Sequence, residues 1–336
     1  MSSRAAKFIL ALAFITGLTV VFYIISDTFH TYRGRQIAHL HDCPINATQD
    51  TFFLHSFDST ATSAKPSTSK ANVLILTPLK DVSTKLPLYF EKLSQLTFPK
   101  EHISLGFLVT DTTDGTIDVL MKEVSSLLNN GTYRKISVFE KNFQYFLQHG
   151  SRHKFSEQVR RRQILAKSRN HLLFSALTDE DWVLWLDVDI VTYPSTMLED
   201  MISYDKDVLA ANVFTHEKST NIEFVYDRNN FIETWESRKL LTTLDEDQIL
   251  VEGYEEISTH RNYLGDLRDS GSDLVEIDGV GGACLLVRAD VHRDGGIFPT
   301  IPIAHQIETE GFGKLAKKMG KGVYGLPNYV VYHEDV

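Results

Sequence analysis

DWVLWLDVDIV, residues 181–191, decides how the rest of the chain is read. Trp182 to Leu186 is an uninterrupted apolar run, as expected of a buried strand, and it closes on Asp187-Val188-Asp189. In an extended segment residues i and i+2 face the same way, so the two carboxylates can be presented to one point. Oxygen donors in that arrangement suit a hard divalent cation, Mn²⁺ or Mg²⁺, which would screen a pyrophosphate and stabilise its departure. As a bare pattern Asp-x-Asp is more often a solvated turn. Its position at the end of a buried strand makes a surface accident less plausible.

Outward from this stretch, further apolar runs alternate with helix-like segments: VLILT at 73–77, ISLGFLVT at 103–110, KISVF at 135–139 and CLLVR at 284–288. Alternation of this kind predicts an α/β fold, a mostly parallel sheet flanked by helices. In open α/β sheets ligands collect beyond the carboxyl ends of the strands. The residues to inspect are therefore Thr77, Pro78 and Leu79 after the first run, Asp111 after the second, and Asp187 with Asp189.

Residues 156–178 read as a helix, with Leu165, Leu172, Leu173 and Ala176 at helical spacing. On a helical wheel Arg161, Arg162 and Arg169 fall beside that stripe, and Arg160 stays a candidate because the phase is loose near the helix start. Inward cations need an anion, and a diphosphate is the economical partner with the Asp-Val-Asp strand immediately following. Snorkelling at the edge of the stripe is the competing reading. A second helix over 305–320 carries Phe312, Leu315 and Met319 on one stripe with Glu308 among them, either a structural anion held by the helix dipole or a ligand for a sugar hydroxyl. Before it, Glu276-Ile-Asp278-Gly-Val-Gly-Gly282 places two carboxylates beside glycines that admit close approach to the backbone. The segment lacks the ending of a P-loop, and Asp278 is a candidate for contacting a sugar. Tyr329-Val-Val-Tyr-His333 is a strand leading to a histidine that could complete a metal shell or be a satisfied structural residue.

Phe8 to Ile25 carries no charge, and as a helix would span roughly 27 Å, close to a thin bilayer. An uncleaved anchor is expected rather than a cleaved signal peptide, since the run is long and no small-x-small site follows. Residues 26–70 are rich in Ser, Thr and His and read as a stem. The triplets Asn46-Ala-Thr48 and Asn130-Gly-Thr132 are glycosylation sequons, consistent with a luminal location. A net charge of −10 disfavours nucleic acid as a partner. Of the two cysteines, Cys43 and Cys284, the second is expected to be a buried free thiol and neither a nucleophile.

Together these segments resemble the fungal mannan-polymerase mannosyltransferases, glycosyltransferase family 62. The likeness is carried by VLILTPLKD at 73–81, RRRQILAKSRNHLL at 160–173, DWVLWLDVDI at 181–190, EGYEEISTHR at 252–261, EIDGVGGACLLVRADVHRDGG at 276–296, HQIETEGF at 305–312 and GLPNYVVYH at 325–333. It implies a cytosolic tail at 1–7, a transmembrane anchor at 8–25, a luminal stem at 26–70 and a GT-A-type (Rossmann-like) catalytic domain at 71–336, in a single-pass type II Golgi membrane protein. It further implies GDP-mannose as donor, Mn²⁺ as metal, a mannan or N-glycan acceptor, and a hetero-oligomeric mannan-polymerase complex. The likeness puts metal and diphosphate at Asp187 and Asp189, with His333 as third protein ligand. Transfer is expected with retention, and either Asp278, Glu308 or Asp227 stabilises an oxocarbenium-like state or the departing phosphate deprotonates the acceptor. Three residues follow His333, so a C-terminus or a partner subunit is expected to close the site. A chiefly structural, nucleotide-sugar-binding subunit is the alternative function, and a metal-dependent phosphohydrolase a more distant one.

Overall fold

The computed structural model describes residues 52–58, 71–146, 154–251 and 258–336. The expected tail and anchor, and the first sequon, lie outside the described residues. Among the described residues no helix is long and apolar enough to cross a membrane.

The first half of the chain lays down β1 (Phe52–Asp58), β2 (Val73–Leu79), α1 (Leu86–Ser94), β3 (Ile103–Thr110), α2 (Thr116–Asn130), β4 (Lys135–Lys141), α3 (Phe155–Ala176) and β5 (Trp182–Leu186). The apolar runs are strands, and β4, β3, β2 and β5 lie side by side in parallel. Their alternate residues feed two cores. Val73, Ile75 and Leu105 pack with Leu86, Phe90 and Leu120 of α1 and α2. Leu74, Leu76 and Trp185 pack with Ala166, Leu172 and Leu173 of α3 on the other face. With helices on both faces, both sides of the strands are covered, which is why β3 and β5 are buried throughout. Strand β1, inside the stretch expected as stem, pairs antiparallel with β4 at the sheet's edge. Helix α2 stops where Gly131 takes φ 60°, a left-handed cap that glycine adopts without penalty.

The second half contributes β6 (Ile190–Thr192), α4 (Met197–Ser203), β7 (Val208–His216), β8 (Glu223–Val225), β9 (Phe231–Glu233), α5 (Trp235–Leu241), β10 (Arg261–Tyr263), β11 (Val275–Glu276), β12 (Cys284–Arg288), α6 (Ala289–Arg293), α7 (Glu308–Lys318) and β13 (Val323–His333). The sheet runs β1-β4-β3-β2-β5-β12-β7-β13-β11, with β6 paired to β13 and β8 to β7. It is an α/β sheet flanked by helices, as expected, but mixed. β12 is antiparallel to both β5 and β7 and separates the parallel half from a second region in which β13 runs parallel to β7. Pairing of β13 with β7 jumps from Leu326↔Ala211 to Val330↔Asn212, so residues 327–329 form a bulge, held where Asn212 Nδ2 donates to the Pro327 carbonyl at 2.7 Å. Cys284 is a buried free thiol, and burial pushes its pKa up to about 12, leaving it inert.

Candidate active site

The carboxyl end of β5 meets the end of β13 and the start of α7. At Asp187 the backbone leaves the extended conformation: Ile190 N donates to Asp187 O at 3.2 Å, so Val188 and Asp189 form a turn before β6. The premise that residues i and i+2 share a face applies to a straight strand, and the turn gives the two aspartates different partners.

Asp189 faces β13. His333 Nε2 stands 3.1 Å from Asp189 Oδ2, outside hydrogen-bond geometry, and is a buried nitrogen without a hydrogen-bond partner. His333 Nδ1 lies 2.7 Å from the Glu334 carbonyl, which fixes the ring and turns Nε2 toward the carboxylate. Glu334 N donates to the Asp189 carbonyl at 2.8 Å and so brings its own side chain to the same place. Among the described residues, the ligand atoms of Asp189, His333 and Glu334 lie within 4.8 Å of one another. One imidazole nitrogen and two carboxylates, with that nitrogen unsatisfied, fit a divalent ion of the Mn²⁺ type. Lys85, just before α1, reaches the same carboxylates, 3.7 Å from Asp189 Oδ2 and in contact with Glu334. Burial opposes charge on both Asp189 and His333. Their mutual attraction outweighs it, holding the Asp189 carboxyl below its ordinary range with Lys85's help and lifting the His333 imidazole above its own.

Asp187 faces α3. Arg169 donates from Nη2 to Asp187 Oδ1 at 3.2 Å and from Nε to Glu308 Oε1 at 3.0 Å, while its Nη1 is buried without a hydrogen-bond partner. The Arg169 guanidinium lies against the rings of Trp185 and Phe298, at 5.4 and 5.7 Å, which holds the fork in one orientation. Burial raises the Asp187 pKa to about 6 against the pull of Arg169, with Asp189, Glu308 and Asp227 adding to the rise. The Asp187 side chain nevertheless keeps 32% of its surface, so it is accessible to a ligand. Asp227, beyond β8, also rises to about 6 through burial, although Asn229 N donates to its Oδ1 at 3.0 Å. The glycines before β12 are needed here: a Cβ on Gly281 would lie 1.7 Å from Asp227 Oδ2, and one on Gly282 2.6 Å from Arg169 Nη2.

The remaining sequence candidates distribute as follows. Arg162 is buried seven residues before Arg169 on the same face of α3 and pairs with Glu310, Nη1 to Oε1 at 2.5 Å; Arg261 Nη1 holds the other oxygen at 3.1 Å. Arg161 is half-buried and Arg160 exposed, its guanidinium 5.6 Å from the Tyr145 ring. Thr77 ties β2 to its surroundings, donating to the Leu186 carbonyl at 2.9 Å and meeting the Tyr89 hydroxyl at 2.6 Å. Pro78 and Leu79 end β2. Asp111 Oδ1 accepts from Phe143 N and Gln144 N at 2.9 and 3.0 Å and shapes the loop after β4. Asp278 lies in a separate network: Lys317 Nζ donates to Oδ1 at 2.7 Å and Glu233 N to Oδ2 at 2.8 Å, and these contacts hold its carboxyl below the usual range against burial. Glu334 and Lys85 were not reached from the sequence, and Glu310, which helical spacing turns away from the apolar stripe, is instead fully buried against Arg162 and Arg261. For Glu334 the available signal was an acidic residue directly following the candidate histidine.

A model of the Anp1 family matches residues 52–302. The mannan polymerase complex subunit mnn9 of Schizosaccharomyces pombe is 36% identical over 332 residues, 95% of this chain and 94% of that relative. The mannan polymerase complex subunit MNN9 of Candida albicans is 40% identical over 321 residues, 90% and 84% respectively. The solved structure of mannosyltransferase PcManGT from Pyrobaculum calidifontis, in complex with GDP-Man and Mn²⁺, shares 11% identity and a TM-score of 0.46, covering 79% of this chain and 57% of that one.

Proposed function

From the premise that the chain belongs to the Anp1 family of fungal mannan-polymerase subunits, we propose that it is a retaining α-mannosyltransferase that uses GDP-mannose and Mn²⁺ to extend mannan on N-linked glycans. The observation that carries this reading is the meeting of Asp189, His333 and Glu334 beside Arg169 and Asp187 at the carboxyl edge of the sheet. Asp189, His333 and Glu334 would hold the ion. When bound it supplies charge that stabilises a departing diphosphate. Arg169, with Nη1 still lacking a partner and its other nitrogens fixed by Asp187 and Glu308, donates to a phosphate oxygen of the donor. The carboxylates of Asp227 and Glu308, both turned toward the Asp187 pocket, provide the negative potential that favours positive charge at the sugar's anomeric carbon. Asp278 keeps the glycine segment in place through Lys317.

The apolar run at 8–25 and the sequons support a type II anchor in the secretory pathway with the catalytic domain in the lumen, and the family resemblance favours the Golgi. The names of the relatives support assembly with other mannan-polymerase subunits. The test is transfer of labelled mannose from GDP-mannose to an α-mannoside by the full chain and the subunits that co-purify with it. Transfer should require Mn²⁺ and be lost in Asp189→Ala with the assembly intact. Undiminished transfer by Asp189→Ala assemblies would reassign catalysis to another subunit and leave this chain a structural one.

A further inference from the structure

We infer that the outer face of β8 and its two flanking residues, carrying Ile222, Phe224 and Tyr226, is a binding subsite for the acceptor saccharide, a row of apolar and aromatic side chains on which successive sugar rings stack as they lead into the metal centre. The inference rests on the glycosyl-transfer reading above and identifies the surface on which its acceptor lies.

The row is built by the sheet's pleat. β8 pairs antiparallel with β7 as Phe214↔Val225, Thr215↔Phe224 and His216↔Glu223, and Tyr226 N continues the ladder to the Val213 carbonyl at 2.9 Å. Val225 points to one face, where a Cβ on Gly265 would strike it, and Glu223 reaches Arg268 and the Tyr332 hydroxyl on that same face. Phe224 and Tyr226 therefore share the opposite face, with Ile222 two residues earlier. Across β7, Phe214 pairs with Tyr332 of β13, so Thr215 and His333, the next residues, also lie on that face. Thr215 Oγ1 donates to the Glu334 carbonyl at 2.9 Å, which ties the row's middle to the metal ligands. At its inner end the Tyr226 ring stacks on the His333 ring, centroids 3.7 Å apart and planes within 16°.

These side chains are open to solvent: Ile222 is 60% exposed, Phe224 39% and Tyr226 37%. Exposed apolar side chains recurring every ~6.6 Å along an edge strand are costly unless something covers them. Two occupants fit an apolar row in principle. A stable protein interface needs about 800 Å² from each partner, more than three side chains offer, whereas the apolar face of a pyranose matches one aromatic ring. The row also starts on the ring of a metal ligand, beside the centre at which the donor's anomeric carbon has to meet an acceptor hydroxyl. Both considerations favour a saccharide over a subunit.

The experiment uses the full chain with its co-purifying subunits and compares Phe224→Ala, Phe224→Trp and Ile222→Thr with the parent. An α-linked mannotetraose is titrated by saturation-transfer NMR, GDP with Mn²⁺ by calorimetry, and subunit retention is read by gel filtration. The expected result is at least a tenfold weaker affinity for the tetraose in Phe224→Ala, restoration in Phe224→Trp, an intermediate loss in Ile222→Thr, and unchanged GDP–Mn²⁺ affinity and subunit content in all three. Unchanged tetraose affinity overturns the inference while leaving the glycosyl-transfer reading standing. Loss of a subunit with tetraose affinity retained overturns it in favour of a protein interface. Absence of GDP–Mn²⁺ binding by the parent removes both the reading and the inference built on it.

Discussion

Asp189 has two basic side chains beside it, His333 and Lys85, and a divalent ion would take over the contact each makes with the carboxylate. Replacing His333 by Ala removes the one nitrogen donor, and Mn²⁺ affinity, read by electron paramagnetic resonance titration, should fall by at least about tenfold. Asp227 offers a different measurement. Its carboxyl is raised to about 6 by burial, so between that value and its unfolded pKa the native state holds more protons than the unfolded one. This group therefore destabilises the metal-free protein above pH 6, and the effect fades as pH falls toward 4. Asp227→Asn keeps the acceptor for Asn229 N and removes the charge. Urea unfolding should show the variant more stable than the parent by roughly 1–3 kcal/mol at pH 7.5, with the gap closing near pH 4. At this scale the sequence shows the chemistry of the carboxylates but not their partners. Asp187 and Asp189 are separated by a turn whose hydrogen bond is invisible in the residue pattern, and Glu334 reaches the site through a backbone bond to Asp189.

Among the elements, α3 shows how far periodicity carries. Its existence and extent follow from the spacing of Leu165, Leu172 and Ala176, and the inward arginines were recognisable as a set. The wheel did not separate them: Arg162 and Arg169 are buried, whereas Arg161, placed beside the same stripe, is half-buried and Arg160 exposed, because a small phase error on a 22-residue helix rotates one position for the next. The anion that meets Arg162 is not a ligand but Glu310, from the first turn of α7, shared with Arg261. Nothing local in the sequence signals this pairing, since its members lie 148 and 49 residues apart. Glu310→Ala would remove the carboxylate that two buried guanidinium groups share, and chemical denaturation should register a loss of about 3–5 kcal/mol. Loss of under 1 kcal/mol would mean that water reaches the cluster and that α3 and α7 are not clamped by charge.

For the molecule as a whole, the apolar runs of β2, β3, β4, β5 and β12 and the approach to His333 were legible as strands, whereas β1, β7 and the order of the sheet were not. β2, β3, β4 and β5 are apolar runs with helices between them, which is the signature of parallel neighbours. β12 reads like another such run, CLLVR, yet enters antiparallel between β5 and β7, with the β7–β13 pair beyond it. The site depends on that distant closure, because its ligands come from the end of β5 and the end of β13. Here the bulge at residues 327–329 governs more than local shape. A strand has only two frames, and every inserted or missing residue exchanges them. The three extra residues between Leu326 and Val330 decide the parity with which β13 arrives at its end, and hence whether the imidazole of His333 or the phenol of Tyr332 looks at the ion. Deleting one residue from 327–329 should leave a folded chain, by circular dichroism, whose Mn²⁺ binding is gone. Three residues without a strand partner among the described residues thus act as the counting device that tells a hydrophobic ladder which of its faces is to become the chemical one.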